Sequence, residues 1–178
     1  MTITSIRTLQ GLDLVRPEWE QWQRHTNQDL AQFELVCRLR PEVESPFVTV
    51  LERDGQVQAL LIGRLERTTV SPAIGYLSPV HVPARVLAVL HEGVLGPMDE
   101  GSAVEAVRSL LALLRSGGAD AVAFHHLAEQ SPLLSALQRE AGAGLFMRAS
   151  RWSTHREMVL AGSGSFVQQK LNSKHRAS

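Results

Sequence analysis

The clearest pattern of apolar and polar positions lies between residues 47 and 66. FVTVLER and QVQALLIGRLER are two β-rich runs separated by Asp54-Gly55. Asp-Gly supplies the positive φ angles of a tight turn, so the pair predicts an antiparallel hairpin. Gly63 inside the second run predicts a bulge or a bend. Before the hairpin, a short strand is expected near Ile3–Leu9. Trp19 and Trp22 share a helical face, and Pro17 suits a first turn because its missing N–H would be unpaired there, so Arg16–Thr26 reads as a helix. A second helix carries Leu30, Phe33, Val36 and Cys37 on one side and is expected to end at Pro41 and the Ser45-Pro46 pair.

Further strands are expected near Ala73–Leu77 and Val86–His91. The Gly-rich stretch EGVLGPMDEGSA follows, then a strong helix from about Ala103 to Arg115 with Leu110, Leu111, Leu113 and Leu114 on its core side. Ser102 and Glu105 have the spacing of a capping box, and Gly117-Gly118 supplies the stop. Ala121–Phe124 reads as a short buried strand. Ser131 and Pro132 begin a helix reaching about Glu140. Strands at Leu145–Ala149 and His155–Leu160 and a helix opened by Ser163 or Ser165 complete the order. The pattern predicts an α/β protein with a mixed, mainly antiparallel sheet flanked by helices, antiparallel at the front with crossover helices behind.

Composition narrows the class. The 178 residues suit one globular domain with a sizeable core, and the 44% hydrophobic and 20% charged fractions are those of a folded protein. A single cysteine, Cys37, excludes an internal disulfide and a Cys-rich metal site. No apolar run approaches the ~18 residues of a membrane span. MTITSIRTLQ lacks the apolar stretch of a signal peptide, and a cytoplasmic location is expected. The formal charge is zero, from eighteen basic and eighteen acidic groups. That zero is a cancellation. Residues 1–147 carry twelve basic and seventeen acidic groups, and residues 148–178 carry six basic groups against Glu157 alone.

The order of elements resembles the acyl-CoA N-acyltransferase fold of the GNAT superfamily. The wording resembles one bacterial branch more closely, the CelD/BcsL-like acyltransferases related to FemAB-type enzymes. The stretches that carry the likeness are PEWEQW, SPFVTVLERDGQVQALLIGRLE, IGYL, EGVLG, ADAVAF, EQSPLLSAL and SFVQQKLNSKHR, in that order. In that branch two GNAT-like lobes stand in tandem. The resemblance implies a GNAT-like lobe over residues 1–161 and, over 162–178, the start of a basic connecting helix toward a second lobe absent from this truncated sequence. The activity implied is transfer of an acyl (acetyl) group from acyl-CoA, most simply acetyl-CoA, to a small-molecule amine. The alternative is a non-catalytic recognition lobe that packs on a catalytic partner lobe or subunit.

The resemblance directs attention to particular residues. Its pyrophosphate site falls between Val86–His91 and the Ser102 helix, making Gly93, Gly96, Gly101 and Ser102 the cofactor-binding candidates, because free N–H groups at a helix start favour anions. The superfamily spacing there is Arg or Gln, two residues, Gly, one residue, then Gly or Ala, and this sequence departs from it. Asp99, Glu100 and Glu105 crowd the helix start, and no Lys or Arg precedes Arg108 in the segment. Those carboxylates suit a helix dipole and repel a pyrophosphate, so the lobe alone is expected to bind acetyl-CoA weakly or not at all.

His125 and His126 end the Ala121–Phe124 strand, and one of them would serve as general base; the alternative is a strand-end histidine bonded to a loop. Tyr76, the sole tyrosine, would be a thiolate acid or a half-buried strand-end residue. His81, His91, His125 and His126 lack a convergent ligand spacing, and no metal is expected. Cys37 reads as a buried, inert thiol. Lys170, Lys174, His175 and Arg176 would meet an anionic ligand or stay solvated, and the absence of interleaved aromatics argues against nucleic acid.

Overall fold

The computed structural model describes residues 1–70 and 81–140. The chain divides into two units, Met1–Leu145 and Phe146–Ser178, and the description concerns the first. The expected strands at 73–77, 145–149 and 155–160, the helix beyond 163, the 161/162 boundary and Tyr76 lie outside the described residues.

Among the described residues there are five strands and four α-helices: β1 (Thr2–Ile6), α1 (Arg16–Trp22), α2 (Leu30–Leu39), β2 (Val43–Arg53), β3 (Gln56–Val70), β4 (Val82–Leu95), α3 (Glu100–Arg115), β5 (Ala121–Phe124) and α4 (Pro132–Glu140). The strands form one sheet in sequence order. The first four are antiparallel, and β4 and β5 are parallel. This is the mixed, mainly antiparallel sheet with flanking helices that the sequence pattern predicts.

The β2–β3 turn is the expected Asp54-Gly55, with φ of 53° and 76°, and it pairs Arg53 with Gln56. Alternation along the strands then sorts the core onto two faces. Phe47, Leu51, Ala59, Leu61, Leu65, Leu87 and Val89 face α3 and α4. Val48, Val50, Leu60, Ile62 and Leu95 face the other way and pack with Leu12, Val15, Trp19, Leu30 and Phe33. Trp19 anchors the second face. It is fully buried, its Nε1–H donates to the Gln28 carbonyl at 2.6 Å, and its ring lies 5.1 Å from that of Phe33.

Several boundaries differ from expectation. The first helix stops at Trp22, where Gln23 turns extended (ψ 130°), and a separate 3-10 turn covers Thr26–Gln28. The second helix ends at Leu39, and Ser45-Pro46 lies inside β2 instead of terminating the helix. Pro46 sits beyond Val48, the last β2 residue that β1 pairs. Among the described residues the strand there has a partner on one side only, where a missing N–H is tolerated. Strand β5 occupies the expected Ala121–Phe124, but all four residues are half-buried because they form the sheet edge among the described residues. The Gly117-Gly118 stop holds: Gly117 N–H donates to Leu114 O and Gly118 N–H to Leu113 O.

A candidate cleft between β4 and β5 and its acidic helix cap

The parallel pair β4–β5 runs from Val86↔Ala121 to Val89↔Phe124 and ends there, with one more bond from His125 N–H to Val89 O at 3.2 Å. Immediately beyond, β4 bulges against its other neighbour. Gly63 of β3 pairs with Val89, yet Leu61, two residues away, pairs with Val94, five residues on. Three extra residues are therefore accommodated in β4. An odd insertion reverses the alternation of faces: Val89 before it and Val94 after it both pack toward α3. From residue 90 onward, β4 keeps β3 as a neighbour and has no strand on its β5 side among the described residues. The parallel pairing ends at the bulge, where β5 itself stops at Phe124.

Gly93 is the residue that permits this geometry. A Cβ there would lie 2.7 Å from Ile62 O and 2.9 Å from Leu90 O, both backbone atoms. The sequence places Gly93 in a Gly-rich loop before the helix. The structure places it otherwise: β4 runs on through Leu95, and Gly93 belongs to its bulge. Gly96 makes the turn that leaves the strand, with φ +81° and no room for a side chain against Gln58 O at 2.6 Å and the Trp22 ring at 2.8 Å.

Helix α3 follows, and its cap also differs from the expected one. The N-cap is Asp99, not Ser102. Asp99 Oδ1 accepts the Ser102 backbone N–H at 2.7 Å, and the helix begins at Glu100. Glu105 does not reach back to the cap; it accepts from Arg108 at 2.8 Å. Asp99 can cap because its short carboxylate reaches an amide three residues on, and the dipole favours its charge. Its second oxygen accepts from Arg53 Nη2 at 3.1 Å. The Ser102 amide above all, with the Ser102 hydroxyl and Arg53, holds the Asp99 carboxyl down at about 2. Ser102 is buried, with its hydroxyl 3.7 Å from Met1 Sδ. Gly101 sits in the first turn with only Asp99 Oδ1, at 3.6 Å, near an added Cβ.

Of the remaining candidates, His125 stands where β4 and β5 part and is exposed. His126 is exposed too, in a left-handed conformation with φ 63° that breaks the strand. Gly93 lies in the β4 bulge against Leu90, His125 follows the end of β5 with its N–H on Val89 O, and Gly96, Gly101 and Ser102 lie along the turn into α3. Cys37 is half-buried, and burial pushes its thiol up to about 11. Among the described residues no three His, Cys, Asp or Glu side chains gather to hold a metal ion. No described helix is long and apolar enough to cross a membrane.

Sequence reasoning missed Arg53. It lies 46 positions from Asp99, and only the hairpin's placement beside α3 reveals the contact. Asp99 as the cap was legible, since Asp is as good an N-cap as Ser and Glu100 suits a first turn.

No protein-family model and no curated protein sequence matches the chain. Solved structures do. The chain is similar to aminoglycoside N-acetyltransferase AAC(6')-Iy in complex with the bisubstrate analog CoA-S-monomethyl-acetylneamine. The TM-score is 0.52 at 13% identity, over 89% of this chain and 100% of that one. A crystal form of the same acetyltransferase with CoA gives 0.50 at 15% identity, over 89% and 95%. A ribosomal-protein-alanine N-acetyltransferase from Brucella melitensis biovar Abortus 2308 gives 0.49 at 11% identity, over 89% and 100%. The first two establish the fold: it is that of GNAT acetyltransferases.

Set against the CoA that the AAC(6')-Iy structures hold, the described residues match in one part and not in another. The β4 edge past Val89 leaves backbone groups without a strand partner, which suits the amide-bearing arm of an acyl-CoA. The α3 N-terminus does not suit a pyrophosphate, because the Ser102 amide is already bonded to the Asp99 carboxylate and Glu100 adds a second negative charge.

Proposed function

We propose that this chain is an acyl-CoA N-acyltransferase lobe that is catalytically silent in isolation. The chemistry is transfer of an acetyl or related acyl group from acyl-CoA to a small-molecule amine. The observation that carries the reading is the end of the parallel β4–β5 pairing beside a bulge in β4 that leaves no room for a Cβ at Gly93. His125, at the parting point, is the proposed general base, with His126 the lesser choice because its left-handed backbone turns away from the strand direction. Tyr76 remains the proposed acid for the leaving thiolate. The proposed silence follows from the Asp99 cap, not from chain length, and a second GNAT-like lobe or subunit is the proposed partner.

The test separates the arm from the phosphates. S-acetylpantetheine carries the arm without a pyrophosphate. Titrated to millimolar concentration, it is expected to shift the backbone amide resonances of residues 90–95 and His125. Shifts confined to other elements, or none, would contradict the reading.

A second reading, a non-catalytic recognition lobe, draws on one observation. Leu35 and Leu39 lie one turn apart on α2 and are 54% and 70% exposed. Light scattering on wild type and Leu39→Glu tests it. Self-association lost in the variant would favour it, and an unchanged monomer mass for both counts against it.

A further inference from the structure

We infer that Asp99 and Arg53 together form a built-in plug of the α3 N-terminus. The Asp99 carboxylate takes the place that a cosubstrate phosphate would need, and Arg53 neutralises the carboxylate instead of a ligand. The inference rests on the acyltransferase reading of the fold and explains why this lobe departs from it.

The geometry is direct. A helix start attracts anions through its free N–H groups and the positive end of its dipole. Here the Ser102 N–H bonds Asp99 Oδ1 at 2.7 Å, so one amide of the first turn is committed within the chain and the carboxylate offsets the positive end of the dipole. Glu100 adds a second negative charge in the first turn. A pyrophosphate would have to displace one carboxylate and lie beside another. The nearby cations do not change the balance. Arg108, the first basic residue of α3, is held by Glu105 at 2.8 Å and Glu140 at 3.1 Å. Arg53 is committed to Asp99 at 3.1 Å. The Ser102 hydroxyl is buried against Met1 and is not presented outward.

The plug is a pair of partly exposed side chains on a fold that is otherwise intact, so it should be removable. Asp99→Ser keeps a cap, because a serine hydroxyl also accepts from the amide three residues on, and it deletes the charge. Removing one unit charge a few ångströms from a pyrophosphate changes affinity by roughly tenfold or more. The same substitution frees Arg53 to meet the phosphate.

The experiment titrates coenzyme A into wild type, Asp99→Ser and Arg53→Gln by calorimetry, with circular dichroism confirming that each variant is folded. Wild type and Arg53→Gln are expected to show no saturable binding below millimolar coenzyme A. Asp99→Ser is expected to bind at least tenfold more tightly. Micromolar binding by wild type would overturn the inference, as would a folded Asp99→Ser with no gain. If Asp99→Ser does not fold, the wild-type Ser102 amide decides. Its resonance should stay fixed as coenzyme A is added, and a saturating shift would overturn the plug. Micromolar binding by wild type would overturn the plug and leave the acyltransferase reading of the fold standing, whereas failure of S-acetylpantetheine at the end of β5 would remove that reading together with the inference that rests on it.

Discussion

Arg53 and Asp99 stand 46 positions apart, and their side chains meet at 3.1 Å where α3 begins. One residue closes the β2–β3 hairpin and the other caps the helix that follows β4. The contact ties the hairpin end of the sheet to α3 and sets the charge at that helix start.

The acid stability of the chain should report this contact. The folded Asp99 carboxyl is held at about 2, below the ordinary 3.8, chiefly by the Ser102 amide. A depressed carboxyl contributes stability that is present above the unfolded value and is lost as pH falls through the folded one. Thermal midpoints measured between pH 5 and pH 2 should therefore fall more steeply for wild type than for Asp99→Ser. Parallel curves would contradict the assignment of Asp99 as the cap.

The bulge gives a contrast between two glycines. Gly93→Ala places a methyl within 2.9 Å of two backbone carbonyls and should cost roughly 1–3 kcal/mol in urea unfolding. In Gly101→Ala the methyl meets only Asp99 Oδ1 at an ordinary 3.6 Å, in the first turn of a helix. It should be neutral or stabilising by up to about 1 kcal/mol. Equal destabilisation by both would show that β4 does not bulge at Gly93.

Trp19 tests the second core face. Trp19→Phe keeps most of the ring but leaves the Gln28 carbonyl without its indole donor, which should cost about 1–3 kcal/mol. Trp19→Ala should cost roughly 3–5 kcal/mol. A Trp19→Phe variant with an unchanged urea midpoint would argue against a buried bond there.

Cys37 should react slowly. Burial raises its thiol to about 11, so little thiolate exists at pH 8. Modification by a disulfide reagent should be slow in the folded chain, fast in urea, and faster in the folded chain as pH rises toward 11. Rapid modification of the folded chain at pH 8 would contradict the burial.

The parts legible in the sequence are those written locally. Asp54-Gly55 dictates its hairpin, alternation assigns Val48 and Val50 to one face and Phe47 and Leu51 to the other, and Gly117-Gly118 stops α3. The misplaced parts depend on distant partners. Gly93 resembles a loop glycine until β3 pairs on both sides of the bulge, and Leu95 belongs to a strand only because Leu60 pairs with it. Pro46 resembles a helix terminator until it is seen where β1 no longer covers β2. The same limit applies to the site. The acidity of the α3 start is visible along the chain, but the cation that answers it comes from Arg53, with β3 and β4 between them in the sequence.

The most direct test of the account is a backbone NMR titration of the wild-type chain with acetyl-CoA. The account predicts weak, millimolar shifts at residues 90–95 and His125, where β4 and β5 part, with the Ser102 amide unmoved. Micromolar saturation with the Ser102 amide shifting in step would contradict it.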